Sequence, residues 1–235
     1  MMIRDIMVMD QGVKDCCDHI LQHISQQQPF AWVLTLNPEI WVHAHQSLTL
    51  RTAIQSAKWV TIDGIGIGFL RWVSGMPWVP RITGVDLVCQ LAKTPLTIAL
   101  VGASEAVVRA AAHQLQEMGG QVVMTHHGFF DSSADARVIT QLVACEPDLV
   151  FVGMGSPRQD AFILALADHL SHGVAMGVGG VFDVLAGTVK RAPRWMQQSG
   201  TEWLWRVIQQ PVRLQRMGRM IGPFLKDCYN GWWSK

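Results

Sequence analysis

The chain reads as an α/β protein: a doubly wound, mainly parallel sheet of about six strands, followed by a basic helical appendage. Three observations predict this. Short runs of β-branched and aromatic residues alternate with longer amphipathic stretches, as in repeated strand–helix–strand units. The runs are apolar throughout rather than alternating, which suits strands covered on both faces. Nearly every run ends in a glycine or small polar turn, where such a sheet presents its carboxyl edge to ligands.

The expected strands are 30–35, 59–62, 96–101, 121–124, 149–152 and 173–176. Between them, 104–118 carries Val107, Ala111 and Leu115 at i, i+4 and i+8, and 135–145 has a length suited to a crossover helix. A further helix is expected from Gly84 to Leu91. The two-proline stretch from Trp72 to Arg81 reads as a loop or lid. Right-handed crossovers through these units give a Rossmann-like body over 1–190. The appendage occupies 191–235. After Pro211, Leu214, Met217 and Ile221 fall on one helical face and Arg213, Arg216 and Arg219 on the other. Gly222-Pro223 is expected to stop that helix before Tyr229, Trp232 and Trp233.

A chain of 235 residues that is 49% hydrophobic can bury a large core, which argues against disorder. No run of about 18 apolar residues suggests a membrane span, and the start lacks a secretory layout, so a cytosolic location is expected. Five cysteines without metal-ligand spacing read as free thiols. The formal net charge of +1 hides a division. Residues 188–235 hold nine Lys/Arg against Glu202 and Asp227, whereas the rest holds ten against sixteen acids. Such asymmetry points to a polyanionic or membrane partner, and no nucleic-acid partner is expected. A basic helix with a Trp pair suits a lipid headgroup layer, although another protein or a second copy of the chain, as in a homo-oligomer, would use the same residues.

Candidate chemistry gathers at the strand ends. Asp63-Gly64-Ile-Gly66 puts a carboxylate directly after an apolar strand, a sound position for a general base and equally for a turn or cap aspartate. Thr35 and Asn37 end the preceding strand and offer hydrogen bonds or turn chemistry. Gly153-Met-Gly155-Ser156-Pro157-Arg158-Gln159 opens a helix and could cradle a diphosphate or sugar, or serve as an ordinary strand-to-helix turn. Gly177-Val-Gly179-Gly180-Val-Phe-Asp183 supplies a second concavity. There is no Walker P-loop and no GxGxxG, which weakens kinase and dehydrogenase readings. The nine histidines form no convincing ligand set, so no metal is expected. A departing diphosphate then needs fixed cations, for which Arg81, Arg191, Arg206, Arg213 and Arg216 are available.

The collinear set Thr35-Leu-Asn37-Pro-Glu39, Asp63-Gly64-Ile-Gly66, Arg81-Ile-Thr-Gly84-Val-Asp86-Leu87, His127-Gly128-Phe129-Phe130, Gly153 to Asp160, Gly177 to Asp183, Arg191-Ala-Pro193 and Glu202-Trp-Leu-Trp-Arg206 resembles the WecG/TagA/CpsF family of bacterial glycosyltransferases over about residues 30–220. The resemblance implies inverting, metal- and cofactor-free transfer of an N-acetylmannosamine-type sugar from a UDP donor. The acceptor would be undecaprenyl-diphosphate-linked N-acetylglucosamine at the cytoplasmic membrane face, in polysaccharide biosynthesis. It implies Asp63 as the base, with Thr35 and Asn37 beside it, and Arg81 on the acceptor. The turns at Gly102, Gly128, Gly153, Gly155, Ser156, Gln159, Gly179, Gly180 and Asp183 would hold the donor, and the appendage arginines would neutralise the diphosphate. The chain departs from the family pattern with Arg158 and Asp160 in place of Lys and Glu, and with Phe129 in place of Tyr. Thr35 favours a neutral donor sugar. A catalytically silent membrane-surface module that binds a polyprenyl diphosphate is the competing reading.

Overall fold

The computed structural model describes residues 3–211 and 213–233. The apolar runs become β1 (Ala31–Leu36), β2 (Trp59–Ile62), β3 (Thr97–Gly102), β4 (Gln121–His126), β5 (Leu149–Gly153) and β6 (Val174–Gly177). All six are parallel, in the order β2-β1-β6-β5-β3-β4. The helices are α1 (Val13–Ser25), α2 (Pro38–Ala44), α3 (Leu48–Ser56), α4 (Ile65–Val73), α5 (Gly84–Leu91), α6 (Glu105–Glu117), α7 (Asp135–Cys145), α8 (Arg158–Ala167), α9 (Val181–Leu185), α10 (Arg194–Gln198), α11 (Glu202–Gln209) and α12 (Arg213–Trp233). Four start where a side chain accepts an otherwise orphaned helix N–H: Asn37, Ser47, Thr83 and Ser104 accept from Ile40, Leu50, Asp86 and Val107.

The two-residue side-chain period sorts the sheet into two faces. Val33, Ile98, Leu100, Phe151 and Met176 join one core with residues of α1, α5, α6 and α9. On the other face Leu34, Leu36, Val60 and Ile62 pack with α2, α3 and α4, while Val101, Val150 and Val152 pack with α7 and α8. Five strands are buried almost throughout, as expected. β4 is different: it lies at the sheet edge and is only partly buried along its length. The other edge, β2, is covered. Met9 N–H donates to Val60 O at 2.8 Å and Ile82 N–H to Ile62 O at 2.9 Å, which ties down backbone groups on an edge that would otherwise invite another strand.

One local expectation is narrowed and another corrected. The stretch after α4 is a loop, as expected, but a packed one rather than a free lid, because Val79 and Ile82 are buried and the Trp78 ring lies against Gly68, where an added Cβ would stand 3.1 Å from it. Nor does the last helix stop at Gly222-Pro223, for α12 runs through to Trp233. A mid-helix proline costs roughly 3 kcal/mol in lost hydrogen bonding and ring clash. Tertiary contacts offset it: Cys228 is buried, Met220 and Phe224 pack on the α2–α4 core, and Trp41 Nε1 donates to Asp227 at 2.8 Å. Burial pushes the Cys228 thiol up to about 11. Met217 and Ile221 of the expected apolar face line a cavity, whereas Leu214 is 58% exposed.

Candidate active site

The carboxyl end of β2 runs straight into Asp63 and Gly64, and Gly64 takes a φ of +92° that an L side chain would resist. Asp63 N–H donates to Leu36 O at 2.9 Å, so the turn is fastened to the end of the neighbouring strand. The carboxylate thereby faces a cavity of about 400 Å³. Asn37, Glu39, Gly64, Gly66, Arg81, Glu202 and Arg206 also line it, and Ile65, Trp203, Val207, Met217, Met220, Ile221 and Phe224 make an extensive apolar wall. Gly66 is needed for closure of this wall, since a Cβ there would lie 2.5 Å from Pro38 Cγ and 3.4 Å from Phe224 Cζ.

Asp63 accepts no hydrogen bond among the described residues. Desolvation pushes its carboxyl above the usual range, a rise opposed by Arg206 and Arg81 and reinforced by Glu202 and Asp86. Arg81 and Arg206 are not loose cations. Arg81 Nη1 donates to Glu202 Oε2 at 3.2 Å and its Nη2 to Gln197 O at 3.0 Å, while Arg206 Nη2 donates to Glu202 Oε1 at 3.2 Å. Asn37 spends its carbonyl oxygen as the α2 cap, accepting from Ile40 N–H at 2.9 Å. Its amide nitrogen has no partner among the described residues.

Other expected site residues lie elsewhere. Thr35 is buried and does not line the cavity; its hydroxyl donates to Gly177 O at 3.2 Å, joining β1 to β6. Arg191 pairs with Asp86, which also accepts from the Thr83 hydroxyl at 2.7 Å, so this guanidinium fastens the C-terminal segment to α5. Arg213 and Arg216 stand on α12, and their side chains lie outside the described residues, as does that of Trp233.

The remaining glycine turns form a second group at the ends of β3, β4, β5 and β6. Gly102, Gly128 and Gly153 are required by close packing of these turns: a Cβ on Gly102 would lie 2.5 Å from the Gly153 carbonyl, one on Gly128 would lie 2.8 Å from Gly102 Cα, and one on Gly153 would lie 2.7 Å from the Phe182 ring and 2.9 Å from Gly179 O. Gly155 and Gly179 have open space above them, yet both N–H groups donate to Gln159 Oε1, at 3.2 and 3.1 Å. Ser156 Oγ donates to Asp160 at 2.6 Å. Burial of Asp160 raises its pKa and the Ser156 bond opposes the rise. Arg158 pairs with Asp135 and stacks on Phe130. Gly180 caps α9, Asp183 is half-buried, and Phe129 is 78% exposed beyond β4. Among the described residues, no three His, Cys, Asp or Glu side chains converge to hold a metal ion.

Sequence reasoning missed Glu202 and most of the cavity wall. Glu202 did carry a signal, standing one helical turn before Arg206 as one of only two acids in the basic tail. The contribution of Met217, Met220 and Phe224 left none, since it depends on where α12 docks.

A protein of Bacillus subtilis strain 168 is 29% identical over 221 residues, 92% of this chain and 86% of its own. Proteins of Staphylococcus aureus strains MW2 and NCTC 8325 are 30% and 31% identical over 190 and 193 residues, 79% and 80% of this chain and 75% of each relative. Each of the three is named N-acetylglucosaminyldiphosphoundecaprenol N-acetyl-beta-D-mannosaminyltransferase. Residues 2–235 match the Glycosyl transferase WecG/TagA/CpsF family, and the chain belongs to it.

Proposed function

We propose that the protein transfers an N-acetylmannosamine-type sugar from a UDP donor to undecaprenyl-diphosphate-linked N-acetylglucosamine, with inversion and without a metal ion. The observation that carries this reading is the mixed lining of the cavity. A carboxylate that accepts no hydrogen bond among the described residues shares it with two guanidinium groups and an extensive apolar wall, so the cavity suits an acceptor that carries a sugar, a diphosphate and a lipid chain.

In this reading an acceptor hydroxyl gives its proton to Asp63 while its oxygen bonds to the anomeric carbon of the donor. The bond from that carbon to the UDP oxygen breaks, and UDP leaves with the electron pair. One displacement at one carbon inverts its configuration. A carboxyl held above its ordinary range is the better proton acceptor near neutral pH. Arg81 and Arg206 supply fixed positive charge to the diphosphates, the work a divalent ion does elsewhere. The second glycine group, braced by Gln159, would hold the UDP moiety at the adjoining strand ends. The exposed Trp72, Trp195, Trp203 and Trp232 support contact with the cytoplasmic membrane face. No helix among the described residues is long and apolar enough to cross a membrane.

The test is UDP release in EDTA, with UDP-N-acetylhexosamines and uronic acids as donors and a short-chain prenyl-diphosphate-GlcNAc acceptor. Acceptor-dependent release with the mannosamine donor is expected, with the product's anomeric configuration read by NMR. Asp63→Asn should lose roughly 10²–10⁴-fold in kcat while still binding UDP. A nearly full-rate Asp63→Asn enzyme would remove the base assignment.

A further inference from the structure

Glu202 belongs to none of the roles assigned above, yet it sits at their centre. It opens α11, is 5% exposed, and divides its two carboxylate oxygens between Arg81, which precedes α5, and Arg206, one turn further along α11. All three line the cavity that Asp63 faces. A buried carboxylate is costly unless its charge is compensated, and two guanidiniums compensate it here. The reverse holds as well, because each arginine has several rotatable bonds and needs an anchor to keep its remaining donors aimed into the cavity.

We infer that Glu202 is a positioning residue of the transfer reaction: its carboxylate aims Arg81 and Arg206 at the diphosphate-binding part of the cavity and sets the charge that Asp63 experiences. This rests on the proposed role of Asp63 as base. Without Glu202 the cavity gains one net positive charge and both guanidiniums lose a fixed acceptor. The charged groups facing Asp63 are Arg81 from the segment before α5, Asp86 from α5, and Glu202 and Arg206 from α11; Glu39 of α2 also lines the cavity. The lining residues of α4 and α12 (Ile65, Gly66, Met217, Met220, Ile221 and Phe224) are not titratable. Among these groups Glu202 is the acid that touches both arginines.

The experiment measures kcat, acceptor KM and the pH dependence of kcat/KM for the full chain and for Glu202→Gln, Glu202→Asp and Asp63→Asn, using UDP-N-acetylmannosamine and a short-chain prenyl-diphosphate-GlcNAc. Glu202→Gln should raise acceptor KM and lower kcat, together costing on the order of tenfold to a hundredfold in kcat/KM. Its acid limb should move to lower pH, because a charge that held the Asp63 proton is gone. Glu202→Asp keeps the charge but is one methylene too short to span both arginines. It should keep the wild-type acid limb and lose roughly tenfold in kcat/KM. An unmoved acid limb in folded Glu202→Gln would overturn the inference. So would wild-type kcat/KM in Glu202→Asp, which decides the matter if Glu202→Gln does not fold. Failure of the Asp63 reading is a separate result, visible as a full-rate Asp63→Asn enzyme.

Discussion

Replacing Asp227 by Ala should loosen the last helix and, through it, the cavity. Asp227 Oδ2 accepts from Trp41 Nε1 at 2.8 Å, and Trp41 is 3% exposed, so truncation leaves a buried indole N–H without its acceptor. Losing the partner of a buried donor costs about 1–3 kcal/mol, and the charged acceptor places this bond in the middle or upper part of that range. His45 Nε2 also lies 3.3 Å from the same oxygen, but the histidine is 40% exposed, and a pair of that kind adds little. A cost of about 2 kcal/mol corresponds to roughly thirtyfold in the equilibrium for undocking α12 from α2 and α4. Amide hydrogen exchange over residues 213–233 reads this directly, and protection there should fall about thirtyfold in Asp227→Ala. Asp227→Asn retains an acceptor oxygen and should fall much less. Because α12 supplies Met217, Met220, Ile221 and Phe224 to the cavity, acceptor KM should rise with the loss of protection. Unchanged exchange in α12, or a loss spread evenly over the sheet, would refute the latch.

Two further outcomes test the sites from the side of stability. The folded-state carboxyl of Asp63 lies above its unfolded value, so the native state binds more protons between the two and stability falls as pH rises through that window. Asp63→Asn should therefore melt higher than wild type near neutral pH, with the difference closing below the ordinary carboxylate range; equal melting temperatures at every pH would show that Asp63 pays no desolvation cost. Gln159→Leu leaves the Gly155 and Gly179 N–H groups without their shared acceptor and should cost about 2–4 kcal/mol in a denaturant titration, with a higher donor KM. A variant that loses stability but keeps its donor KM would confine Gln159 to a structural role.

Legibility differed from element to element. β5 (Leu149–Gly153) and α7 (Asp135–Cys145) followed from local pattern, because an unbroken apolar run and a 3.6-residue period depend on near neighbours alone. The end of α12 did not. Gly222-Pro223 is a strong local stop, overruled by Phe224, Asp227 and Cys228 docking on α2 and α4. Arg81, Arg191 and Arg206 looked alike as available cations. Only their partners separate them, since Arg191 is committed to Asp86 while Arg81 and Arg206 share Glu202 beside Asp63.

What the sequence determined by itself was the sheet, the crossovers, the glycine turns along its carboxyl edge and the carboxylate that follows β2, because each is written in short-range periodicity and turn chemistry. The tertiary structure decided which glycine N–H groups are already occupied, that Thr35 ties β1 to β6 instead of lining the cavity, and that residues 121 positions apart, Arg81 and Glu202, meet at one site. Those outcomes depend on long-range packing such as the docking of α12 on α2 and α4, a balance of burial and pairing between distant segments that no local pattern encodes.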